Sequence, residues 1–148
     1  MVDFHFYYPI EVRYGDLDPQ GHVNNARFLT YFEQARIHYV IHLGLWDGRS
    51  YFDVGFILAE IQVTFLEPVL FGQEIRIGVR VDRMGNKSLS MEYSMEDIRS
   101  GKKLARGSSA LVTFNYHDGC TIPIPDHWRE TIAHFEGLNS KKQLEENS

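Results

Sequence analysis

Asn24 to Leu45, NNARFLTYFEQARIHYVIHLGL, is the segment that most restricts what this chain can fold into. Phe28, Phe32, Ala35, Tyr39 and Leu43 recur at helical spacing, and Leu29, Arg36 and Val40 nearly continue the stripe. An apolar face that broad reads as a largely buried helix. Asn24 or Asn25 is a good N-cap, and Gly44 is a good left-handed stop. At 1.5 Å per residue the helix is about 28 Å long, so whatever covers it must have a similar span.

Strand patterns supply that cover. Phe4, Phe6, Tyr8, Ile10, Val12 and Tyr14 alternate with Asp3, His5, Glu11 and Arg13, the period of a strand with one buried face. Pro9 lies on the polar side and removes a backbone donor, which places this strand at a sheet edge. After the helix, VGFILAEIQVTFL (Val54 to Leu66) puts Ile57, Ala59, Ile61, Val63 and Phe65 on one face, and Glu67-Pro68 ends it. EIRIGVRVD turns Ile75, Ile77, Val79 and Val81 inward, and SLSMEYSMED does the same with Leu89, Met91, Tyr93 and Met95. The last strand, about Lys103 to Tyr116, carries Ala110, Val112 and Phe114 on its apolar face. Turns at Met84-Gly85-Asn86 and Ser100-Gly101 predict an antiparallel meander. A short helix is expected from about Pro125 to Phe135. One long helix against one five-stranded antiparallel sheet is a two-layer α+β domain. It spans residues 1–137, with 138–148 as a polar, disordered tail.

The length of 148 residues suits a single core. A net charge of −5 argues against a nucleic-acid partner, which needs a basic face. Cys120 is the single cysteine, so no intrachain disulfide is possible, which fits a reducing compartment. The N-terminus MVDFHFYYPI has no basic n-region with a long apolar run, and no apolar stretch is long enough to span a bilayer. A cytoplasmic protein without membrane partners is expected.

Between the first strand and the helix lies YGDLDPQGHVNN, Tyr14 to Asn25. Pro19 pushes Asp18 toward an extended conformation, and Gly21 permits a positive φ in the turn that follows. A carboxylate then sits a few residues from a helix N-terminus, whose free N–H groups carry partial positive charge. That pairing suits acyl chemistry. The N–H groups polarise a carbonyl, and the carboxylate attacks it or deprotonates a water that does. A thioester is the economical substrate, because a thiolate leaves without strong acid assistance. The competing reading is a turn followed by ordinary capping. Asp16 is either a second acid or a structural acceptor, and His22 either a base or a bystander at the helix entrance. His38 and His42 have zinc-ligand spacing, but the Glu of an HExxH motif and a third ligand are missing, so no metal is expected.

YGDLDPQGHVNNARFLTYFEQAR resembles the opening motif of hotdog-fold acyl-CoA thioesterases of the 4-hydroxybenzoyl-CoA thioesterase type. Its HVNNARFL portion is similar to bacterial long-chain acyl-CoA thioesterases and to plant acyl-carrier-protein thioesterases. The resemblance covers about residues 12 to 36. It implies a sheet wrapped around the long helix, a homodimer or homotetramer with active sites at the subunit interface, and an acyl-CoA substrate without a cofactor. It assigns catalysis to Asp18, the second Asp of D-x-D-P, and carbonyl polarisation to the N–H of Asn25. The plant-type catalytic set falls on Asp18, Gln20 and His22, with Gln20 replacing Asn. The benzoyl-type enzymes carry an aromatic residue where this chain has Asn25, so aromatic acyl specificity does not transfer.

NKSLSMEY resembles the segment that contacts the nucleotide of coenzyme A in the benzoyl-type enzymes, giving Lys87 and Ser88; Arg83, Lys102, Lys103 and Arg106 lie nearby in sequence, either as further phosphate contacts or as solvated strand-end charges. Glu33, on the helix and spaced to pair with Arg36, is the reserve catalytic carboxylate. Two other readings are a hotdog hydratase or dehydratase, whose D-x-N-P-x-H segment DPQGH matches poorly, and a non-catalytic acyl-CoA binder.

Overall fold

A computed structural model describes residues 4–49 and 54–138. The tail expected from 138 onward lies outside them, apart from Leu138. The elements run β1 (Tyr7–Glu11), a 3-10 turn (Tyr14–Asp16), α1 (Asn25–His42), β2 (Val54–Phe65), β3 (Glu74–Met84), β4 (Ser88–Asp97), β5 (Lys103–Asn115), a two-residue β6 (Cys120–Thr121) and α2 (Asp126–Glu136). The sheet order is β1-β3-β4-β5-β2, with β6 paired to β5, and every pairing is antiparallel. This is the α+β hotdog arrangement, a curled sheet around one long helix.

Several expectations hold at residue level. Asn24 caps α1, its side chain accepting the Ala26 N–H at 2.9 Å, and Gly44 adopts φ 73° just beyond the helix. β1 is an edge strand, as Pro9 requires. Ile75, Ile77, Val79 and Val81 of β3 and Leu89, Met91, Tyr93 and Met95 of β4 are all buried. Phe32 stacks on Tyr93 with ring centroids 5.0 Å apart. Gly107 of β5 makes room for it: a Cβ there would meet the Phe32 ring at 3.2 Å and the Gln62 carbonyl oxygen at 3.1 Å.

Four expectations need correction. The meander is limited to β3-β4-β5, because β2 pairs with the far side of β5. The chain after β2 does not double back: it buries Val69 and accepts the Val23 N–H on the Val69 carbonyl at 2.8 Å. Tyr14 is 80% exposed, since the chain leaves β1 after Glu11 and tightens into the 3-10 turn. β2 changes phase at Ala59, where Leu58 pairs with Leu111 and Glu60 with Ala110. That one-residue bulge puts Phe56 and Leu58 on the α1 side before it and Ile61, Val63 and Phe65 after it, leaving Ile57 on the other face. On β5 the buried face is Ala105, Ser109, Leu111 and Thr113, not Ala110, Val112 and Phe114. SSALVTF is apolar in both phases, and the inward polar groups are tolerated partly because Ser109 bonds to the Tyr93 hydroxyl at 2.7 Å.

α1 is also less buried than its stripe implies. Phe28, Phe32, Ala35 and Tyr39 are covered, but Leu29 and Ile37 are exposed along one side. α2 closes the opposite side. Glu136 accepts the Tyr39 hydroxyl at 2.6 Å and the Val81 N–H at 3.0 Å, where β3 has its own register shift and its ladder is interrupted. Burial, with Glu136 alongside, pushes the Tyr39 hydroxyl far above its ordinary pKa, so it stays a donor. No helix among the described residues is long and apolar enough to cross a membrane.

Candidate active site

The site is assembled by the loop between β1 and α1, and Asp16 is what fixes it. Its carboxylate is 1% exposed and accepts the Tyr31 hydroxyl at 2.6 Å and the Arg13 backbone N–H at 3.1 Å. The Arg13 and Arg27 guanidinium groups lie 3.4 and 3.6 Å away. Burial pushes this carboxyl up, but the Tyr31 and Arg13 hydrogen bonds outweigh it and hold the pKa below the usual carboxylate range. Asp16 is therefore the structural acceptor of the two alternatives. Its backbone carbonyl also takes the Asn24 N–H at 2.9 Å, which joins the loop to the helix start.

Asp18 is held differently. Its Oδ1 accepts the Gln20 N–H at 2.8 Å and the His22 N–H at 3.3 Å. Its own N–H donates to the His22 carbonyl at 2.7 Å, and Gly21 turns the chain with φ 83°. Those bonds fix the plane of the carboxylate through one oxygen. The other oxygen takes no hydrogen bond from the described residues, which leaves it for a ligand.

The helix start is open at one atom. Asn24 N–H goes to Asp16, Ala26 N–H to the Asn24 side chain, and Arg27 N–H to the Asn24 carbonyl at 2.8 Å. Among the described residues the N–H of Asn25 has no acceptor. Asp18, Gln20, His22 and Asn25 line one cavity of about 420 Å³ with Phe28, Phe65 and Glu67. A carboxylate oxygen and an unpaired helix N–H facing one space can bind a carbonyl on the N–H and present a base or nucleophile to its carbon.

The nucleotide-binding candidates are not brought to this cavity. Ser88 pairs with Val112 of β5, whereas Phe65 at the cavity pairs with Ala105. From Ala105 to Val112 the strand runs about 23 Å. Arg83, Lys87 and Ser88 are exposed at that far end. Of the other basic residues, Lys102 reaches the cavity rim by pairing with Glu67 at 3.1 Å, while Lys103 and Arg106 are exposed on β5. Glu33 lies outside the Asp18 cavity; its carboxylate is 65% exposed and 3.9 Å from Arg36. His38 stacks on Tyr8 at 4.1 Å, and His42 packs against Phe6 and Phe135, so both rings serve the packing around α1.

Two residues escape a reading of the sequence. Glu67 marks only the end of β2 there, and it is the second carboxylate of the cavity. Arg129 of α2 donates to the carbonyls of Gly85 at 2.7 Å and Asn86 at 3.2 Å, and so fixes the turn that leads into Lys87. Burial lowers its pKa. No local pattern announces it, because its partners are more than forty residues away in sequence.

The family model described as the Thioesterase-like superfamily matches residues 12–132. A thioesterase of Thermus thermophilus, solved in complex with coenzyme A and zinc, superposes with a TM-score of 0.79 at 38% identity, covering 94% of this chain and 100% of that one. The long-chain acyl-CoA thioesterase FadM of Escherichia coli is 29% identical over 71% of this chain and 77% of its own length. The 1,4-dihydroxy-2-naphthoyl-CoA hydrolase of Thermosynechococcus vestitus is 25% identical over 80% of this chain and 82% of its own.

Proposed function

The chain belongs to the thioesterase-like superfamily, and from that premise we propose that it hydrolyses acyl-CoA thioesters in the cavity between Asp18 and the α1 N-terminus. The observation that carries this reading is the pairing, in one cavity, of the unpaired Asn25 N–H with the free oxygen of Asp18.

In this reading the thioester carbonyl accepts the Asn25 N–H, and the helix dipole adds to the polarisation. The hydrogen bonds of Gln20 and His22 to Oδ1 hold Asp18 so that its other oxygen faces the carbonyl carbon. That oxygen takes a proton from the water that attacks, or attacks itself, in which case the mixed anhydride left on Asp18 once the thiolate departs is hydrolysed by water to the free acid. The tetrahedral oxyanion collapses and expels coenzyme A as its thiolate. The His22 and Gln20 side chains border the same space and position water.

The separation of Lys87, Ser88 and Arg83 from Asp18 has a natural resolution in a homodimer. β2 is a sheet edge bearing the exposed apolar residues Ile57 and Leu58. Two copies paired antiparallel along β2 set the Ser88 end of one sheet beside the Asp18 end of the other. A second copy's Lys87, Ser88 and Arg83 then meet the nucleotide of a coenzyme A whose thioester lies at this copy's Asp18. A tetramer built from such dimers keeps the same sites.

The test is thiol release from short-chain, long-chain and aryl acyl-CoAs, with wild type and Asp18→Asn compared directly. Turnover that collapses in a folded Asp18→Asn supports the assignment. Equal rates in both move the chemistry to another carboxylate, with Glu67 and Glu33 next in line. Absence of thiol release from every acyl-CoA overturns the reading.

A further inference from the structure

A second cavity, of about 430 Å³, opens beside the first along α1 and β2. Its walls include Trp46, Phe56, Tyr116 and Trp128, and its polar members are Glu33 and Arg36. Arg36 is unusual there. It is 6% exposed among aromatic and aliphatic side chains, on a face where an unpaired charge is costly. Nη1 donates to the Tyr93 hydroxyl at 3.2 Å, and Tyr93 is held in turn by Ser109. Nη2 lies 3.9 Å from the Glu33 carboxylate, too far for a hydrogen bond. That ion pair is loose: the Glu33 side chain is 65% exposed, and a small polar group placed between the two would gain hydrogen bonds that the direct contact lacks.

The two cavities share one face of α1. With a turn every 3.6 residues, Asn25, Leu29, Glu33, Arg36 and Val40 fall within one side of the helix. Leu29 is the exposed apolar residue between them. On the sheet side, Ile61 and Val63 bridge Phe65 of the first cavity to Phe56 and Leu58 of the second. The Asn25 to Glu33 rise is about 12 Å. An extended carbon chain gains about 1.2 Å per bond, so about ten carbons separate a thioester carbonyl at Asn25 from Glu33.

We infer that the second cavity takes the far end of the acyl group, and that Glu33 and Arg36 together recognise a hydroxyl there. The inference rests on the thioesterase reading of the Asp18 cavity. A hydroxyl is the group that matches: it donates to Glu33 and accepts from Arg36 in one position. A carboxylate satisfies Arg36 but meets the charge of Glu33, and a bare methyl leaves Arg36 Nη2 with only the carboxylate 3.9 Å away. The substrate class is an acyl-CoA of about ten carbons or more, hydroxylated near its distal end.

Both tryptophans of the chain line this cavity, so its occupancy reads out in fluorescence without any turnover. The first measurement titrates wild type with 10-hydroxydecanoic acid and with decanoic acid. The second compares kcat/KM for the two corresponding acyl-CoAs in wild type and Arg36→Met. The hydroxy acid is expected to shift the emission at concentrations where decanoic acid does not. The hydroxyacyl thioester is expected to be preferred by about tenfold, the net worth of one hydrogen bond at a partly solvated site. Arg36→Met should erase that preference while keeping decanoyl-CoA turnover. Equal responses to the two acids overturn the inference. So does an unchanged spectrum with both, which means that protein fills the cavity, side chains of a second copy included. A spectral response to the hydroxy acid without hydrolysis of either thioester keeps the cavity assignment and overturns the thioesterase reading. Hydrolysis of both at equal rates does the reverse. The wild-type comparisons decide the matter even if Arg36→Met does not fold.

Discussion

The hydroxyl of Tyr31 donates a 2.6 Å hydrogen bond to the carboxylate of Asp16, across fifteen residues and with both groups buried. That bond attaches the middle of α1 to the loop that leads into the Asp18 turn. Tyr31→Phe removes it and leaves a buried carboxylate with fewer donors, a loss of about 1–3 kcal/mol. The sign with pH follows from the direction of the Asp16 shift. Its pKa is depressed in the folded state, so its contribution is complete above the unfolded value, near 4, and is lost as pH falls through the folded value. Urea unfolding at pH 7 and pH 3.5 should show a larger difference between wild type and Tyr31→Phe at pH 7. An equal difference at both would contradict the role given to Asp16.

Asp18 and Asp16 should part company under the same substitution. Asn at position 18 keeps an oxygen for the Gln20 and His22 N–H groups, so Asp18→Asn is expected to melt within a few degrees of wild type. Its kcat should fall about a thousandfold or more, as expected when the base or nucleophile is lost. Asp16→Asn should instead lower the melting temperature clearly. A stable Asp16→Asn with lost activity would exchange the two assignments.

Lys87→Ala and Ser88→Ala should raise KM for acyl-CoA by about tenfold, the worth of one charge-assisted hydrogen bond, with little change in kcat. The same variants should bind free coenzyme A more weakly, and more so at low salt. In the proposed dimer those residues act from a second copy, so specific activity should fall on dilution below the dimer dissociation constant. Activity independent of concentration in a demonstrably monomeric sample would sink the shared-site arrangement.

Glu136 joins α2 to the sheet through Tyr39 and the Val81 N–H. Glu136→Leu leaves two buried donors unmet and should cost about 2–4 kcal/mol in urea denaturation. Glu136→Gln keeps an acceptor and should recover most of that. Similar losses in both variants would mean that the packing of α2, not the carboxylate, holds it in place.

How far these features are readable from sequence depends on how local their causes are. The α1 boundaries are legible because Asn24 and Gly44 act on their own neighbours. The inward faces of β3 and β4 are legible because one phase is apolar and the other charged. The Asp18, Gln20, His22 and Asn25 grouping is legible because all four lie within eight residues, on one turn and the helix start that follows it. β2 and β5 are misread where both phases carry apolar residues, so period alone cannot choose between Ile57 and Leu58 or between Leu111 and Val112. Glu67 and Arg129 are invisible for another reason: their partners come from distant strands and turns. The distance between Ser88 and Asp18 belongs to the same class, since it depends on the strand order, which places β2 beyond β5.

The bulge at Ala59 shows what a single unit of length does in such a scaffold. It sets which phase of β2 faces α1 on each side of it without altering a side chain. Removing that residue would leave Leu58 opposite Leu111 and Glu60 opposite Ala110 as consecutive partners, so strict alternation returns with Phe56 and Leu58 still on the α1 side and the Ile61 to Phe65 stretch still beside Asp18. The extra residue therefore absorbs a difference in chain length between two halves of one strand, so that the Phe56 and Leu58 wall of one cavity and the Phe65 wall of the other are both set by their pairing with β5 and not by their separation in sequence.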